Sequence, residues 1–177
     1  MARNRFSPED TESLRSKIIR VVNDADVPAA VALRALAQCQ AHIENRMIVE
    51  QTIKECGLIS SGFTANEHLE LYYHIVQGKR EVGYITKGWD DPGFRVGDIV
   101  EVTKWKIAGL KEHAYALLKY CATRGVVMTV EENDDDSVKL QMDSVIYSAG
   151  FNKKVFTQVL QHLMECVEKA HATFGLS

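Results

Sequence analysis

VVMTVEENDDDSVKLQMD, residues 126–143, alternates apolar and polar side chains on either side of an acidic run. Val138, Leu140 and Met142 fall on one face and Lys139, Gln141 and Asp143 on the other, the period-2 pattern of a half-buried strand. Residues 126–130 alternate in the same way, and Glu131, Glu132, Asn133, Asp134, Asp135 and Asp136 make the turn between them. An acidic turn of this kind could hold calcium, but no glycine stands at the sharp-turn position and no glutamate closes a 12-residue loop, so it reads as a solvated hairpin tip.

Residues 153–174 follow as an amphipathic helix. Phe156, Leu160, Leu163, Val167, Ala170 and Phe174 recur in steps of four and three, the stripe of a helix packing lengthwise on a partner. Val155, Val159 and Cys166 widen that stripe. Its width suggests apolar surface beyond what a small sheet covers, which makes Val155, Phe156, Val159, Leu160, Leu163, Val167 and Phe174 the candidate oligomer interface.

Toward the N-terminus the chain turns helical. Ser7, Pro8, Glu9, Asp10 and Glu12 form a start signal, and Leu14, Ile18, Val21 and Val22 recur on one face. Residues 23–26 break the pattern. From Pro28 to Cys56 the chain is alanine-rich without proline or glycine inside, and Gly57 stands where a C-terminal cap belongs, so it reads as one long helix or as two with a kink near Asn45. Thr64 and Glu67 have capping-box spacing, with Leu69, Tyr72, Tyr73 and Val76 as an apolar side, so a third helix is expected up to Gly78.

Between the two parts, Val82, Tyr84 and Ile85 read as a short strand, and Gly83, Gly88, Asp90, Asp91, Pro92, Gly93 and Gly97 as turn formers. Ile99, Val100 and Val102 suit a strand, yet Ile99, Val102, Lys106, Leu110, Ala114, Leu117 and Cys121 share a helical face, so residues 98–108 stay open and helix is expected from about Gly109. The fold expected is α+β: a helical N-terminal lobe, residues 1–78, and an α+β lobe, residues 79–177, in which long helices pack a small antiparallel sheet. The two lobes can equally be read as one continuous domain.

Composition bounds the function. The chain has 177 residues and a formal net charge of -3 from 21 basic and 24 acidic residues, with no basic stripe of the kind that grips phosphate. Cys39, Cys56, Cys121 and Cys166 lie far apart, as reduced thiols would, and no run approaches a membrane span or a signal-peptide core. A soluble cytoplasmic protein is expected.

Motifs for chemistry are scarce. Cys39 with His42 and His162 with Cys166 sit one helical turn apart and together have the ligand set of a zinc site, but helices place every such pair side by side, so no metal is assigned. Neither Ser60-Ser61-Gly62 nor Ser148-Ala149-Gly150 forms a nucleophile elbow, and Gly88 precedes Trp89 where a phosphate loop needs lysine. Asp90, Asp91, Asp98 and Glu101 could pair as catalytic carboxylates only if the fold spaced them correctly. Tyr72, Tyr73, Trp89, Phe94 and Trp105 bracket the glycine-rich segment as candidate binding residues.

The order helix, strand, strand, helix from Gly109 to the end resembles the C-terminal part of small chaperone-type α+β folds of the type III secretion chaperone class. The resemblance rests on element order and covers less than half of the chain. The expected function is a non-enzymatic protein-interaction module, adaptor- or chaperone-like and self-associating, whose partner is another protein chain, with no cofactor and no membrane. Two alternatives stand beside it: a small enzyme or ligand-binding protein with a pocket near residues 83–105, and a nucleic-acid-binding regulator using the N-terminal helices.

Overall fold

A computed structural model describes residues 8–65, 71–88, 91–103, 110–132 and 137–176. The chain divides into two compact units, residues 1–45 and 46–177. In the first lie helix α1 (Pro8–Asp24) and most of the long helix α2 (Ala29–Glu55), whose last part, from Arg46, belongs to the second. Asp26 makes the turn between them in the left-handed region at φ 46°, a conformation that Asp and Asn tolerate better than most residues. The Pro28 carbonyl then accepts the first amides of α2, from Val31 at 2.8 Å and Ala32 at 3.2 Å.

In the second unit, six strands among the described residues form one antiparallel sheet: β1 (Ile59–Ala65), β2 (Leu71–Gln77), β3 (Arg80–Lys87), β4 (Gly93–Thr103), β5 (Val127–Glu132) and β6 (Ser137–Tyr147). Their order is β1-β2-β3-β4-β6-β5, so β6 inserts between β4 and β5. Helix α3 (Leu110–Ala122) connects β4 to β5, and helix α4 (Lys153–Phe174) closes the chain after a 3₁₀ turn at Ser148–Gly150. The expected fold class is what the structure has.

Three helix ends are built alike. Gly57 and Gly125 sit in the left-handed region, and the amides of Leu58 and Val126 reach back to the carbonyls of Ile53 and Cys121, each giving the reciprocal bonds of a glycine C-cap. Gly175 ends α4 in the same conformation, while Asn152 starts that helix by accepting the Val155 amide at 3.1 Å. The helix bounds read from the sequence, residues 153–174, coincide with α4.

The core lies on one face of the sheet. Phe94, Val96, Val100 and Val102 of β4 and Val138, Leu140, Met142 and Ile146 of β6 are buried there, together with Phe156, Leu160, Leu163, Val167, Ala170 and Phe174 of α4. Leu117 and Cys121 of α3 join the same cluster, as do Val49 and Ile53 from the end of α2. Each strand gives alternate residues to this face, which is why a one-residue slip in register would expose a whole strand's apolar set.

Two expectations are corrected. Instead of a third helix, residues 64–78 supply the end of β1 and all of β2; Glu67 and Leu69 lie outside the described residues. The reason is visible in LYYHIVQ, where Leu71, Tyr73 and Ile75 are buried and Tyr72, His74 and Val76 are not, a period-2 pattern in residues that favour strands. Residues 98–103, left open above, complete strand β4.

The second correction concerns glycines. Of the four read as turn formers only Gly88 lies outside the strands; Gly83, Gly93 and Gly97 are within strands, at positions where a Cβ would strike a neighbour. At Gly97 a methyl group would stand 2.6 Å from the Tyr84 hydroxyl and 2.9 Å from the Met142 carbonyl oxygen. Gly97→Ala is therefore expected to cost about 1–3 kcal/mol in chemical denaturation, the range for overpacking. In a double-mutant cycle with Tyr84→Ala the cost should fall, and equal costs in both backgrounds would mean that the ring is not what requires the glycine.

Candidate interaction surfaces

Within the first unit, Leu14, Ile18, Val21 and Val22 share one face of α1. An apolar groove of about 470 Å³ runs over this face and the start of α2, lined by Ile18, Val21, Val22, Val31, Leu36 and Cys39 among others. Lys17 is the one charged residue among its lining side chains. The groove is open to solvent: Val21 is 68% exposed and Val31 53%.

Apolar exposure on α2 is not confined to the groove side. Leu33, which is 67% exposed, follows Val31 by two residues, so it points about 200° away around a helix with 3.6 residues per turn. A helix that is apolar on several sides is normally covered on several sides. The charges of α1 are spent on its own surface, where Arg15 pairs with Glu12 at 3.7 Å and Arg20 with Asp24 at 3.6 Å. Exposed pairs of this kind contribute little to stability.

In the second unit the face of the sheet opposite α4 carries a polar and aromatic network. Tyr72 stacks on Tyr84 with ring centroids 5.6 Å apart, and the Gln141 amide donates to the Tyr84 hydroxyl at 3.2 Å. Arg95 stands 3.6 Å from Asp143, and His74 bonds to Glu81. Burial, with the Asp143 carboxylate behind it, raises the Tyr84 phenol above its ordinary value. Among the described residues these groups satisfy one another. A second groove, of about 370 Å³, lies between Leu58 and Gln77 on one side and Leu160 and Met164 of α4 on the other. Its Glu165 is held by Arg124 at 2.9 Å, and Arg124 in turn lies 3.6 Å from the centroid of the Tyr120 ring.

The structure separates the candidate binding aromatics. Tyr73 and Phe94 are buried on the helix-covered face, Phe94 against Phe151 at 4.2 Å, whereas Tyr72 is on the opposite face. Trp89 and Trp105 lie outside the described residues, as do Asp90 and residues 133–136 of the acidic turn. Asp91 accepts the Gly88 amide at 2.9 Å, and its carbonyl accepts the buried Lys87 ammonium at 2.6 Å, which makes it a turn residue. Burial lowers the Lys87 ammonium, with the Asp91 carboxylate opposing.

Of the α4 stripe, Phe156, Leu160, Leu163, Val167 and Phe174 are buried and Val155 and Val159 are half-buried against the same core. The sheet is wide enough to use them. Cys39 and His42 belong to the first unit, while His162 bonds to the Arg124 carbonyl at 3.1 Å in the second. Cys166 shares a thiol hydrogen bond with Cys121, which raises the Cys166 thiol and lowers that of Cys121, both inside the core. Among the described residues no three His, Cys, Asp or Glu side chains gather as a metal site requires, and no helix is long and apolar enough to cross a membrane.

No family model and no curated protein matches the chain. Among solved structures, an uncharacterized protein from Methanothermobacter thermautotrophicus aligns with a TM-score of 0.60 at 10% identity, covering 73% of this chain and 96% of that one. YbjN from E. coli aligns with a TM-score of 0.48 at 16% identity, covering 70% and 89%. The first likeness is one of fold: a small α+β domain.

Asp98 is a half-buried carboxylate of β4, opposite Met142. Burial raises it above the usual carboxylate range, opposed by the Ile99 amide, which donates to it at 2.8 Å, with Glu81 raising it further. A raised folded-state value means that the stabilising contribution is complete below the unfolded-state value and is lost as pH rises through the folded one. Asp98→Asn should therefore raise the melting temperature at pH 7 and have little effect near pH 3. Identical shifts at the two pH values in thermal scans would show that ionisation at this position costs the fold nothing.

Proposed function

We propose that the protein is a non-enzymatic protein-interaction module of the adaptor or chaperone kind, presenting residues 8–45 to another protein chain. The observation that carries this reading is the apolar groove of the first unit, together with the exposed aliphatic side chains around it. Large contiguous apolar patches mark interaction sites on proteins that otherwise keep such surface inside. Charge supports the same reading. Between Val27 and Ile43 the only charged residue is Arg34, so this stretch has no cluster of cations of the kind that holds a phosphate backbone.

An enzymatic role has less to stand on. Asp91 is used in a turn and Glu101 faces Lys139 across the sheet at 3.7 Å. The four thiols are free, with Cys39 exposed, which suits a reducing compartment such as the cytoplasm.

In a light-scattering assay with a heat-unfolded client such as citrate synthase, the full chain should slow aggregation at equimolar ratio. Val21→Glu combined with Val31→Glu should lose most of that effect, because both side chains are exposed in the groove and a carboxylate there must be desolvated before an apolar partner can seat. Equal protection by the two proteins would remove the groove from the function.

A further inference from the structure

We propose that the groove of the first unit is occupied by a second copy of the same chain, two helical hairpins closing on each other as a four-helix bundle. This rests on the interaction reading above and names its partner. The first argument is area. Nine large aliphatic side chains of residues 14–43 are between 39% and 68% exposed, and their exposed surface is comparable to the roughly 800 Å² that one partner of a standard interface buries.

The second argument is charge. The groove and the flank of α2 ask for an apolar, nearly uncharged helical partner, and residues 27–43, with Arg34 as their one charge, are such a partner. A two-fold pairing supplies that match without a further component, because the same patch serves on both sides.

The third argument is the distribution of exposure around α2. Val31 and Leu33 point to different sides of the helix, so one partner laid along the groove alone leaves Leu33 in water. In a four-helix bundle each helix has two neighbours, roughly 90° apart, which cover a wider arc of α2 than the groove alone. α1 meets the same need, since Ile19 lies outside the groove lining and is 48% exposed.

Sedimentation velocity on the full chain tests this across loading concentrations from about one to several hundred micromolar, where mass action moves a dimer equilibrium. The expected result is a concentration-dependent dimer, with Val21→Glu combined with Val31→Glu weakening it by more than about tenfold, as burying unpaired carboxylates requires. Cys39 gives a second readout, because its thiol is exposed in the single chain and lines the groove. Its alkylation by iodoacetamide should slow several-fold as concentration rises, and the double variant should restore the fast rate. The buried thiols of Cys121 and Cys166 should stay unreactive throughout, which reports that the second unit remains folded.

A chain that stays monomeric at all concentrations, with Cys39 alkylated at one constant rate, overturns the second copy as occupant. If that monomer still protects the client in a Val21- and Val31-dependent way, the interaction reading survives; if it does not, both fall. A dimer that persists unweakened in the double variant, with Cys39 still accessible, also overturns the proposal, since it places self-association elsewhere.

Discussion

The pairing of β4 with β6 is the constraint on which the second unit depends. Its register runs without a break from Gly93 opposite Tyr147 to Thr103 opposite Ser137, the full length of both strands. Every other strand is attached through one of these two, β3 and then β2 and β1 on the β4 side, β5 on the β6 side. Because side chains alternate, this single register puts Phe94, Val96, Val100 and Val102 beside Val138, Leu140, Met142 and Ile146 on one face. Helix α4 then has a largely apolar floor, interrupted by Asp98 and Ser144, on which Phe156, Leu163 and Ala170 lose all contact with solvent.

Much of this was legible in the chain's own pattern. The alternation of residues 126–143 and the four-and-three spacing of α4 each match one period over a long stretch, and nothing in their surroundings competes. Strand β2 is hidden in the sequence because Leu69, Tyr72, Tyr73 and Val76 also fit helical spacing, and Thr64 with Glu67 has the spacing of a helix start. What decided against it was a neighbour: Tyr73 lies opposite Ile85, a pairing that no local window contains. The strand glycines were illegible for a like reason, since Gly97 is required by a tyrosine thirteen positions earlier that crosses over it.

The interaction surface was legible only in part. The apolar positions of α1 and α2 can be read directly, but whether they are covered depends on the fold. The wide stripe of α4 looked like the surplus, whereas a sheet of six strands absorbs it with help from α3 and from Val49 and Ile53 at the end of α2. The surplus lies instead on helices whose alanine-rich sequence looked unremarkable: small side chains at Ala29, Ala30, Ala32, Ala35 and Ala37 leave the few large ones standing out. Side-chain size, more than hydrophobic count, separates a surface that a sheet can bury from one that awaits another helix.

The strand order also sets which pairings are local in the chain and which are not. The meander from β1 to β4 closes through loops of a few residues, and β5 with β6 is another local hairpin, so each can form at low entropic cost. Joining β4 to β6 is different, because it must bring together strands separated in the chain by α3 and β5. Until it happens, β4 is an unsatisfied edge eleven residues long, flanked by apolar side chains and open to any strand of another molecule. A chain in which β4 is formed and β6 is not yet docked exposes that edge, so the β4–β6 pairing also closes the sheet against misassembly.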